Sequence, residues 1–230
     1  MVAKPTTEIP AIFLENVWVD GDPAPSPIHL DFRPLLKILA DVGITGAKLD
    51  EWLLDLNEAN RELVGKLELT SEGALLISPM QSKRGSREEA EFIIDLGVWT
   101  RAHGGEAHGA RLGVHFPNGA RYAPDAAWLS PEQLAAYTPS EETWLLDFCP
   151  YFVVEIMSRT DSQASAHRKM RDYIDHGATL GWLIDPFRRS VHIYRPGVDV
   201  VVLDDPETVS GEPDLPGFIF NVRSRIFDAA

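Results

Sequence analysis

The stretch Phe152-Val153-Val154-Glu155-Ile156-Met157-Ser158 sets one carboxylate inside a run of β-branched, aromatic and apolar residues. Such a run reads as a strand covered on both faces, the central strand of a sheet. An ionised carboxylate in that position is costly unless it is paired, hydrogen-bonded or bound to a metal. Period-two alternation puts Glu155 on the same strand face as Val153 and Met157. Taken alone, Glu155 is as readily a structural acid satisfied by an arginine or by backbone amides as a functional one.

Working outward from this strand, Asp161 to His176 reads as a helix closed by Gly177, and three further strands follow at about 180–185, 190–195 and 198–203. On the helix, Ala166, Lys169, Met170 and Tyr173 have the spacing of an apolar stripe, so Lys169 stands where a packed residue is expected. It is a lysine snorkelling to water, a partner for Glu155, or an ammonium aimed into a site. Upstream, Asp125 opens the short apolar run Pro124-Asp125-Ala126-Ala127-Trp128-Leu129. Proline suits a strand start, and an acid there is either a turn aspartate or a metal ligand. Two strand carboxylates and a lysine are the minimal set for metal-assisted phosphodiester hydrolysis.

The remaining pattern is that of a mixed sheet flanked by helices. Helices are expected at about 31–40, 45–59 and 88–101, and strands at about 67–70 and 74–78 around the turn Ser71-Glu72-Gly73. Ser130 with Pro131 and Gln133 predicts a capped short helix through Tyr137. Residues 1–30 read as an irregular arm, and the glycine-rich stretch 103–119 as loop. His103, His108 and His115 in that stretch match no zinc spacing, and its glycines match no phosphate-binding fingerprint.

Composition sets bounds. The 230 residues suffice for one well-formed core, and no apolar run approaches a membrane span. A lone cysteine, Cys149, rules out an internal disulfide framework and fits a reducing, cytoplasmic setting. A net charge of −14 runs against a generic nucleic-acid binder, although a divalent ion held between carboxylates inverts the local field.

The segments PDAAW, CPYFVVEIMSRTD, HRKMRDYIDHGATLGWLIDP, VHIYRPG and LPGF resemble the putative restriction endonuclease family, long a domain of unknown function, within the PD-(D/E)XK nuclease superfamily. The resemblance spans roughly residues 45–227, and the GWLIDP and YRPG strings make it specific. It implies an α/β, restriction-endonuclease-like core with a mixed four- to five-stranded sheet between helices, preceded at residues 1–44 by an arm and accessory helix. It also implies Mg²⁺ (or Mn²⁺) as cofactor, DNA as substrate and a homodimer. Asp125 matches the motif aspartate and Glu155 its second acid. Met157 stands where the superfamily has lysine, and Lys169 takes that part from the next helix. The first-helix acid falls on Glu91, or on Glu89 nearby, in a segment that departs from the family's usual polar Asn or His. A non-catalytic, nuclease-derived interaction protein is the rival reading, favoured by the acidic charge.

Overall fold

The computed structural model describes residues 28–59, 66–78, 81–138, 145–159 and 161–229. Most of the expected N-terminal arm lies outside the described residues. The first described element is strand β1 (Ile28–Asp31), succeeded by helices α1 (Arg33–Asp41) and α2 (Ala47–Ala59). The hairpin β2 (Lys66–Leu69) and β3 (Ala74–Ser78) comes next, its turn carrying Gly73 at φ 80°, a left-handed conformation suited to glycine. Helix α3 (Lys83–His103) starts at Ser82, whose side chain accepts from the Gly85 amide. It begins five residues earlier than the expected Glu88.

The glycine-rich stretch is not a plain loop. It holds three short strands with the segment after it: β4 (Glu106–Gly109), β5 (Val114–His115) and β6 (Arg121–Tyr122). Two-residue strands are too short to carry a period, so only their tertiary pairing makes them. Strand β7 (Ala126–Leu129) leads to α4 (Pro131–Ala136), where Ser130 and Gln133 form the expected capping box. Then come β8 (Phe152–Ile156), α5 (Gln163–Asp175), β9 (Leu180–Asp185), β10 (Ser190–Tyr194) and β11 (Val201–Asp204). A small hairpin, β12 (Val209–Ser210) with β13 (Ile219–Phe220), and a π-helical turn at Arg223–Phe227 end the described chain.

The mixed sheet flanked by helices is present, with six strands in the order β11-β10-β9-β8-β7-β4, wider than the expected four to five. Strands β8 and β9 run parallel, joined by α5; the other neighbours are antiparallel. A second, five-stranded sheet in the order β1-β3-β2-β6-β5 packs beside it. Phe32 and Leu39 share one cluster with Leu49, Leu69, Leu75 and Ile77, so the expected boundary at residue 44 separates elements that pack together.

Alternation along β8 divides the core. Phe152 and Val154 face a cluster with Phe92, Leu96 and Trp99 of α3 and with Trp182 of β9. Val153 and Met157 face Met170 and Tyr173 of α5. Packing is close on that side: a Cβ added at Gly181 would sit 2.6 Å from the Met170 methyl and displace it. Glu155 therefore emerges between the sheet and α5.

Phe92 is fully buried, its ring centre 4.6 Å from Phe220 and 6.1 Å from Trp182. Phe92→Ala is expected to destabilise the fold by about 3–5 kcal/mol, the usual cost of an aromatic cavity. Urea titration should show a lower midpoint with an unchanged slope; a loss under about 1 kcal/mol would contradict this packing.

Candidate active site

Asp125 sits just ahead of β7 and anchors it to the central strand. Its amide donates to the Val154 carbonyl at 3.0 Å, and its Oδ2 accepts from the Ile156 amide at 2.8 Å. The acid is thus fixed by the backbone of the strand that carries Glu155. Glu155 Oε1 accepts from the Tyr173 hydroxyl at 3.0 Å and lies 2.8 Å from the Lys169 ammonium. Lys169 reaches this point because its stripe position on α5 faces the sheet, beside Met170 and Tyr173.

The ammonium has a second partner that the sequence did not reveal. Glu68 Oε1 lies 2.8 Å from Lys169 Nζ and also accepts from the Ala123 amide at 2.6 Å. Next to it on β2, Lys66 Nζ donates to Asp125 Oδ1 at 3.2 Å and to the Ala123 carbonyl at 2.9 Å. Lys66 and Glu68 alternate with Leu67 and Leu69, so one face of β2 is polar and points at the site while the other is apolar. That Lys-x-Glu alternation was the available signal. It reads equally as a solvated strand face, and only the docking of the second sheet against the first buries it.

Asp125, Glu155 and Lys169 line one cavity of about 450 Å³, together with Lys66, Glu68 and Glu89. Glu91 does not reach it. Its Oε2 accepts from Arg225 Nη1 at 2.6 Å, on the far side of α3. Residues two apart on a helix point roughly 200° apart, so only one of the pair can face the cavity. The one that does is Glu89, bonded to Gln81. The three candidate histidines do not converge. His103 stacks on Trp99 at the end of α3, His108 pairs with Glu106, and His115 lies 3.1 Å from Asp50. Cys149 is buried, and burial pushes its thiol well up.

Four carboxylates (Glu68, Glu89, Asp125, Glu155) meet two ammoniums (Lys66, Lys169), and the surplus falls on the least compensated acids. Burial pushes Glu155 up to about 7 against the attraction of Lys169, with Asp125 adding to the rise. Burial and the neighbouring Asp125 likewise push Glu89 up to about 8. Burial disfavours the charge on Lys169, but Glu155 and Glu68 outweigh it and hold the ammonium above its ordinary value. Lys66 is raised further, as Glu68, Asp125 and Glu155 together overcome its burial. Glu68, touched by both lysines, is held low despite its burial.

The donor set suits a hard divalent cation. The carboxylates offer oxygen ligands, and the buried Glu155 and Glu89 are pushed up toward their neutral forms, a cost that a cation beside them relieves. Among the described residues no group of three or more His, Cys, Asp or Glu side chains is placed to hold a metal ion. An ion here would retain several waters, as Mg²⁺ commonly does.

The family described as "Uma2: Putative restriction endonuclease" matches residues 53–223. A solved structure titled as a putative nuclease belonging to DUF820, from Anabaena variabilis ATCC 29413, is similar at a TM-score of 0.61 and 21% identity. The match covers 70% of this chain and 89% of that one. It indicates a shared fold. No curated protein matches.

The charge cluster generates two expectations. Lys169→Met leaves Glu155 and Glu68 buried without their shared counter-ion, so it should cost about 3–5 kcal/mol near neutral pH. The deficit should shrink on acidification, as the two acids take up protons; denaturant titrations at pH 5 and pH 8 measure it. A neutral outcome would remove the structural part of the lysine's role. Glu89 is raised from 4.5 to about 8, so folding takes up protons on it, and its contribution to stability falls as pH rises through that window. In metal-free buffer, Glu89→Gln should therefore raise Tm more at pH 8.5 than at pH 5. An equal shift at both would contradict the assignment.

Proposed function

Since the chain belongs to the Uma2 family of putative restriction endonucleases, we propose that it is a nuclease hydrolysing phosphodiester bonds of DNA with Mg²⁺ or Mn²⁺. The observation that carries this reading is the convergence of the buried Asp125 and Glu155 carboxylates with the Lys169 ammonium in one cavity. An excess of acid in a buried site is costly to a protein that uses it only for packing. It is the arrangement that a divalent ion relieves.

Asp125 and Glu155 would hold the ion, with water completing its shell. Bound there, the ion would supply Lewis-acid polarisation of the phosphate and a more acidic attacking water. The protein's own groups have distinguishable parts. Lys169 is held above its ordinary value and so cannot serve as a base near neutral pH. Its part is to offset negative charge that grows on the phosphoryl oxygens as the P–O bond breaks. The Tyr173 hydroxyl, donating to Glu155 Oε1, fixes the rotamer of that carboxylate. Lys66 holds Asp125 through its other oxygen and keeps the two acids from repelling each other apart. The reading extends to a homodimer in a reducing, cytoplasmic setting, which the single thiol suits.

The test pairs metal binding with cleavage. Mn²⁺ should raise the Tm of the wild type by mass action, and cleavage of long DNA should require it. Glu155→Gln keeps an acceptor for Tyr173 and should retain the fold, yet lose at least a hundredfold in cleavage along with the metal-induced shift. A wild type with neither metal response nor cleavage favours a non-catalytic protein descended from nucleases.

A further inference from the structure

The cavity that holds the acids opens beside an aromatic ring that the core does not need. Phe187 lies just after β9 and is 41% exposed, although it lines the same cavity as Asp125, Glu155 and Lys169. Two guanidiniums lie against it. The Arg84 carbon is 5.6 Å from the ring centre and that of Arg159 is 5.2 Å away. They come from different elements, Arg84 from the first turn of α3 and Arg159 from the loop after β8. Both line the cavity. Arg84 is braced from behind by Glu88, whose Oε1 accepts from its Nε at 2.6 Å.

This rim has the composition of a nucleotide grip. A partly exposed ring and the planar cations lying over it together bind a base by stacking and its phosphate by charge. In a chain with a net charge of −14, two arginines at the mouth of the acidic cavity mark where a polyanion can approach. Depth selects among polyanions. Asp125 and Glu155 are 7% and 9% exposed, at the bottom of a cavity of about 450 Å³. That volume lies in the range of small-molecule pockets and admits a single nucleotide rather than the width of a duplex.

We propose that Phe187, Arg84 and Arg159 form a stacking grip for an unpaired nucleotide, making single-stranded or frayed DNA the substrate class of this site. The inference rests on the nuclease reading above. In a strand held this way, the base lies on the Phe187 and guanidinium faces while the adjoining phosphate descends toward Lys169. A paired base must first leave its stack to do the same, which disfavours blunt duplex.

The experiment uses the full chain and a fluorescently labelled thymidine oligonucleotide, with a blunt duplex of matched length for comparison. Anisotropy in EDTA reads binding without cleavage; Mn²⁺ added to the same substrates reads turnover. The wild type should bind the single strand at least tenfold more tightly than the duplex and cleave it faster. Phe187→Ala should weaken single-strand binding roughly tenfold, within the range that base–aromatic stacking confers, and Phe187→Trp should restore it. Because the ring is partly exposed, circular dichroism should report an intact fold for both variants. Equal or better binding of the duplex, or single-strand binding indifferent to Phe187→Ala, overturns the inference. Glu155-dependent cleavage of duplex that ignores Phe187 would sink the grip and leave the nuclease standing. Phe187-dependent single-strand binding with no cleavage under any metal would sustain the grip and sink the nuclease.

Discussion

A carboxylate on a strand covered from both sides has to be neutralised on the spot, and the architecture around β8 answers that requirement. Glu155 obtains its counter-charge from α5, and the same ammonium reaches across to Glu68 on the second sheet. Lys66 returns from that sheet to Asp125, which is itself tied to β8 by one bond from its amide and one to its carboxylate. Helix α5, hairpin β2–β3 and the start of β7 are thus seated on each other by charge as well as by apolar burial. Removing any one lysine strands an acid rather than merely losing a contact.

The elements legible in the sequence were those with a long enough period. The strands carrying FVVEI and LGWLID and the stripe of Lys169, Met170 and Tyr173 each display several turns of one repeat. From these, the relation of Glu155 to Lys169 follows, because strand face and helix face are both fixed. Glu68 and Lys66 were invisible as site residues, since a four-residue strand alternating polar and apolar looks like any half-exposed edge. Their burial is a property of how two sheets meet, which no local window contains. Glu89, which lines the cavity, and Glu91, which pairs with Arg225, were not separable in sequence for a related reason. Both lie on one helix, and a resemblance that slips by two residues reverses the face.

The acidity of the chain and a nucleic-acid substrate are compatible at this scale. Charge acts over about a Debye length, near 8 Å at physiological ionic strength, so the two arginines around Phe187 matter more to an approaching phosphate than the distant acidic surface. Such a protein would hold DNA weakly in general and grip it only at the cavity, with a salt dependence reflecting few phosphate contacts.

Met157, two residues past Glu155, is buried against α5, and the cation beside Glu155 comes from that helix. It lies on a segment translated later than every acid it serves. As the chain leaves the ribosome, Glu68, Glu89, Asp125 and Glu155 are all present before Lys169, with Lys66 alone to pair with them. The nascent protein therefore carries an unclosed cluster until its fifth helix docks. A charge cluster built in this order cannot close on a chain that ends before the fifth helix.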